Sequence, residues 1–161
     1  MIHLIGLGNP IHGDDGFGHG VIHALKQKDW PEQVRLLEGG IMGLDALPLL
    51  EGASHVVLID SARGGTEKAG SVSWLSMGQL LDQTSADLPL VSHDFGVVEL
   101  LRMLPFALEG APPKQVDLLL GWVDGPQVFE NRLSSQALEA VDQAVVQLQH
   151  YVAKMMVGEC M

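Results

Sequence analysis

A single cysteine, Cys160, excludes an intramolecular disulfide and any thiolate metal cluster built within one chain. A cytoplasmic setting is therefore expected. Aromatic residues make up only 5% of the chain, so aliphatic side chains must fill the core. Positive charge is also scarce, with nine Lys and Arg against twenty Asp and Glu, for a formal net charge of -11. Such a field repels phosphate backbones and anionic lipid surfaces and attracts cations or a basic peptide segment, so neither nucleic acid nor membrane is an expected partner. No apolar run approaches the ~20 residues of a membrane span. The start, MIHLIGLG, lacks the basic segment and long apolar stretch of an export signal.

Catalytic signatures are missing too. Gly6-x-Gly8-x-x-Ile11 lacks the third glycine of a dinucleotide fingerprint, and no Gly-Lys-Ser follows it. There is no Gly-x-Ser-x-Gly nucleophile elbow. His19 and His23 have helical spacing but no adjacent Glu of the zincin type, and a solvated surface pair is expected. Cys160, in a tail expected to fray, is a poor nucleophile candidate. Metal-linked chemistry is the enzyme class left standing.

What is present is apolar and periodic. The 161 residues are 47% hydrophobic and 18% charged, which fits one domain over residues 1–161 with elements buried on both faces. Ile2 to Leu7 reads as a buried strand closed by Gly-Leu-Gly, followed by a helix with Phe17, Val21, Ile22 and Leu25 on one face. Further strands are expected at Gln33 to Leu37, His55 to Asp60, Ser71 to Leu75 and Val116 to Val123. Helices are expected at Asp45 to Leu50, at Asp94 to Leu104 and from Ser134 or Ser135 onward, the last with Leu138, Val141, Val145, Leu148 and Val152 inward. Strands alternating with helices imply an α/β fold, a three-layer sandwich whose mostly parallel, twisted sheet carries helices on both faces.

Ligands in such sheets collect at the carboxyl ends of the strands. Asp14 and Asp15 follow the first strand, Asp60 ends the third, and His93 stands just before a helix, so a parallel sheet brings all three positions to one edge. Two carboxylates and an imidazole form an O,O,N set suited to zinc, nickel or another divalent ion with coordination positions left open. Each has an ordinary alternative. Either aspartate can cap the first helix, Asp60 can satisfy loop amides, and His93 can be a hydrogen-bonded loop residue.

The order of motifs resembles the maturation endopeptidases of NiFe hydrogenases: Gly6-Leu-Gly-Asn9, Gly13-Asp-Asp-Gly16 with Gly18, Glu38-Gly-Gly40, Leu58-Ile-Asp60, then Ser92-His93. The resemblance covers residues 1 to about 123 and implies a single α/β domain. It implies that Asp15, Asp60 and His93 are the metal-binding and catalytic residues. It further implies removal of a C-terminal peptide from the hydrogenase large-subunit precursor once nickel, carried by that substrate, is in place; another divalent metal is an alternative. Two departures stand out: Asp15 occupies a place often filled by Glu, and Ile41 follows Gly-Gly where some members have Thr. A non-enzymatic nickel carrier would use the same trio, although three such ligands are few for that task. Peptidyl-tRNA hydrolases also open with Gly-Leu-Gly-Asn-Pro, but two carboxylates beside a tRNA site and the acidic charge disfavour that reading.

Overall fold

The first strand, β1 (Ile2–Leu7), is buried along its whole length, and its alternating side chains supply two cores at once. Ile2 and Leu4 enter one core, while Ile5 and Leu7 enter the other. The computed structural model of the chain describes residues 1–41, 44–64, 66–82, 90–91, 102–104, 106, 108–124 and 129–158. Within them β1 is followed by α1 (Phe17–Leu25), β2 (Val34–Gly40), β3 (His55–Arg63), β4 (Val72–Ser76), α2 (Met77–Asp82), β5 (Leu90–Val91), β6 (Gln115–Trp122) and α3 (Ser135–Gly158). Two 3-10 turns, Gly13–Gly16 and Leu44–Leu50, complete the set.

The sheet runs β2-β1-β3-β6-β4, with β5 paired to the end of β3. The four strands β2, β1, β3 and β6 are parallel to one another, and β4 and β5 pair antiparallel to them. The mostly parallel α/β arrangement expected from the sequence is the one observed. On one face α1 and α3 cover Ile2, Leu4, Val57, Ile59 and Leu119. On the other, Ala46 and Leu50 of the second 3-10 turn and Leu104 cover Ile5, Leu7, Leu58 and Leu118. Among the described residues no helix is long and apolar enough to cross a membrane.

Several expectations shift. β3 continues to Arg63 instead of ending at Asp60, because β6 pairs with it as far as Ala62 and β5 takes up its other side at Ala62 and Arg63. The segment from Asp45 is a 3-10 turn, with Pro48 inside it removing a backbone donor. Neither Asp14 nor Asp15 caps α1, whose N-cap is Gly16 with no side-chain bond. The inner stripe of α3 is Ala137, Ala140, Val141, Ala144, Val145, Leu148 and Val152, whereas Leu138 is 53% exposed. Small alanines let α3 lie close to α1 and the sheet, so the stripe sits one position away from the leucine. The helix expected at Asp94 to Leu104 falls outside the described residues, apart from 102–104, which are helical.

Candidate active site

The turn after β1 is shaped by close backbone approach. Gly8 has φ of +105°, and a Cβ there would lie 1.9 Å from the Asp15 carbonyl oxygen. Only glycine fits. The Asn9 side chain braces the turn by accepting the Ile11 N–H at 3.1 Å, and the His12 N–H reaches the Asn9 carbonyl at 3.1 Å. The chain then enters the turn Gly13–Gly16, in which the Asp15 N–H donates to the His12 carbonyl at 3.3 Å. The Asn9 main-chain N–H donates to Asp15 Oδ2 at 3.0 Å, so the carboxylate folds back toward the end of β1. Asp15 is 3% exposed.

Asp60 reaches the same edge from β3. Its backbone still pairs with Leu120 of β6, but the pairing of β1 with β3 stops one residue earlier, at Ile59. Asp60 is fully buried at that step in the sheet, and its Oδ1 accepts the Ser61 N–H at 2.7 Å. Close packing at Gly18 brings the Asp15 turn over this point: a Cβ there would sit 2.3 Å from the Leu7 carbonyl oxygen and 2.4 Å from that of Ile59. The start of α1 thus rests on β1 and β3 together, and the Gly13–Gly16 turn contacts β3.

His93 lies outside the described residues. Val91, two residues before it in the chain, pairs with Ala62, two residues past Asp60. Among the described residues no group of three His, Cys, Asp or Glu side chains is placed to hold a metal. Asp14 points elsewhere, to Ser134. His12 bridges Glu130 and makes an edge contact with the Phe129 ring at 5.8 Å. His19 leans toward Glu38, with Nδ1 3.5 Å from Oε2, while His23 is exposed, so the two do not converge on a site. Lys26 donates to Glu38 Oε1 at 2.5 Å and, more than any other neighbour, holds the Glu38 carboxyl below its ordinary range. Cys160 falls outside the described residues.

Two buried carboxylates on one sheet edge suit a cation. Desolvated negative charge is costly unless donors or positive charge meet it, and a divalent ion supplies that charge compactly. Asn9 and Ser134, which hold the two adjacent aspartates, were not singled out by sequence spacing as parts of a site. Asn9 stands inside the glycine motif and offered a signal, but Ser134 is 120 residues from its partner and offered only its capping role.

A sequence model described as hydrogenase maturation protease matches residues 20–150. The chain belongs to the hydrogenase maturation protease family. The match spans the Asp60 and His93 positions and begins after the Asp15 turn. Among relatives of this hydrogenase maturation protease, the hydrogenase expression/formation protein HoxM of Cupriavidus necator is 26% identical over 153 residues, 76% of this chain and 75% of its own length. The HupD protein of Rhodobacter capsulatus is 36% identical over 63 residues, a match that takes in 38% of this chain and only 30% of HupD. The solved structure of the hydrogenase maturating endopeptidase HybD from Escherichia coli has the same fold, with a TM-score of 0.78 at 21% identity over 96% of this chain and 93% of HybD.

Proposed function

We propose that this protein is the endopeptidase that removes the C-terminal extension of a nickel-loaded NiFe hydrogenase large-subunit precursor in the cytoplasm. Asp15, Asp60 and His93 contact the nickel that the precursor carries. The observation that supports this most is the burial of Asp15 and Asp60 at one strand-end edge of a chain in this family. The pairing of Val91 beside the end of β3 is consistent with His93 as third ligand.

The metal is part of the substrate, and it supplies Lewis acidity toward the scissile carbonyl or an attacking water. The chain's own residues dock and orient it. Two buried carboxylates disfavour a neutral peptide segment and favour one bearing a divalent cation, so the loaded precursor docks where the empty one does not. A carboxylate at this edge then accepts the proton released by the attacking water.

Intact-mass analysis of nickel-loaded and nickel-free precursor, each incubated with wild-type protein or Asp60→Ala, tests the reading. The expected result is loss of a C-terminal peptide from the loaded precursor alone, with the wild type alone. Binding of the loaded precursor without any shortening would instead establish a nickel-binding protein. Cleavage by both proteins would keep the protease and remove Asp60 from its site.

A further inference from the structure

We propose that Asp14 and Ser134 are positioning residues for Asp15, fixing the turn that carries it to the N-terminus of α3. The proposal rests on reading Asp15 as part of the cleavage site.

The turn has little internal support, being a single 3-10 turn, and it is gripped from outside by the segment preceding α3. His12 pairs with Glu130 in a parallel bridge, and the Gly13 N–H donates to the Glu130 carbonyl at 2.7 Å. Asp14 makes the strongest tie. Its Oδ1 accepts the Ser134 N–H at 2.7 Å, and its Oδ2 accepts the Ser134 Oγ–H at 2.7 Å. The same Oγ accepts the Ala137 N–H at 3.2 Å, so Ser134 caps α3 while holding Asp14. A carboxylate placed there also meets the positive end of a helix 24 residues long.

Capping alone requires Ser134 and no partner from the other end of the chain. The bidentate grip on Asp14 instead ties the turn to α3, whose inner face is packed against the sheet and α1. In a 3-10 turn neighbouring side chains diverge by about 120°. Asp14 therefore reaches outward to α3 while Asp15 turns back toward Asn9. The two share a peptide unit, so releasing Asp14 lets Asp15 swing. A displacement of about 1 Å at a reacting group costs roughly 100-fold in rate.

Asp14→Ala, which removes both acceptors, together with Ser134→Gly and Ser134→Thr, separates positioning from stability. Glycine is nearly as good an N-cap as serine, losing only a few tenths of a kcal/mol, so Ser134→Gly deletes the hydroxyl bond to Asp14 with the helix retained. The readouts are kcat and KM for cleavage of the nickel-loaded precursor, and amide exchange at Asn9 by NMR. The Asn9 N–H bonds directly to the Asp15 carboxylate and so reports on its position. The expected result for Asp14→Ala and Ser134→Gly is a kcat lower by about 10- to 100-fold with KM nearly unchanged, together with faster exchange at Asn9. Ser134→Thr, which keeps the hydroxyl, should restore both. A folded variant with wild-type kcat, or with wild-type exchange at Asn9, overturns the proposal, as does activity that falls only with the folded fraction. Should the wild type fail to cleave a competent precursor, the protease reading fails by itself and the Asn9 amide alone decides the positioning.

Discussion

Asp15 and Asp60 each take a main-chain N–H, from Asn9 at 3.0 Å and Ser61 at 2.7 Å. Main-chain donors persist through side-chain substitution, so changing the carboxylate itself is the clean perturbation. Asp60→Asn preserves volume and removes the charge that would meet a cation. Cleavage of the loaded precursor should fall by about 100-fold or more, with far-UV circular dichroism unchanged; full activity would remove Asp60 from the site. Gly18→Ala probes the other requirement, close approach. The added methyl meets two carbonyl oxygens at 2.3 and 2.4 Å, both backbone and unable to yield without moving β1 or β3. Urea unfolding should show a loss of about 3 kcal/mol or more. At this scale the sequence was informative where chemistry is local: the paired aspartates after a glycine turn and the aspartate closing an apolar run marked the edge. The tie between Asp14 and Ser134 was illegible because 120 residues separate them and a serine before a helix already has a sufficient reason to be there.

Elements with one dominant pattern were easiest to recognise. β1, β3 and β6 are buried on both faces and therefore read as nearly unbroken apolar runs. Their ends were harder, since a strand stops where its neighbours stop. Asp60 looks like a terminus by composition, yet β6 and β5 continue the ladder beside it. In α3 the leucine at 138 outweighed the alanines as a core signal, although Ala137, Ala140 and Ala144 are fully buried and Leu138 is exposed. Helix packing makes the difference measurable. Leu138→Gln should change unfolding free energy by no more than about 0.5 kcal/mol. Ala144→Leu inserts bulk between α3 and the sheet and should cost about 1–3 kcal/mol. Equal effects at the two positions would mean that the face of α3 has been assigned wrongly.

Across the whole molecule, acid stability offers a readout independent of the cleavage site. His3 of β1 is 4% exposed, with Nδ1 2.7 Å from the Leu49 carbonyl oxygen, so the neutral ring donates Nδ1–H across to the Leu44–Leu50 turn. Burial holds its pKa below the ordinary 6.5 against the next largest influence, the upward pull of the Leu49 hydrogen bond, and the charges of Arg35 and the N-terminal amine add smaller downward pushes. The unfolded chain therefore takes up this proton first. The contribution of His3 to stability is complete above 6.5 and is lost as pH falls from there through the lower folded value. Glu38, also shifted down, loses its contribution only below its own ordinary 4.5, and its exposed pairing with Lys26 makes that term small. Between these two values His3 therefore loses its contribution while Glu38 keeps its own. Protonating surface acids also relieves the self-repulsion of a chain with net charge -11, an opposite effect that is common to any two variants with the same acids. His3→Asn keeps a donor for Leu49 without the titration. Urea unfolding from pH 7.5 to 5.0 should show the wild type losing more stability than His3→Asn, most of it below 6.5. Parallel curves would place the acid limb in other groups and leave His3 as a packing residue with a hydrogen bond.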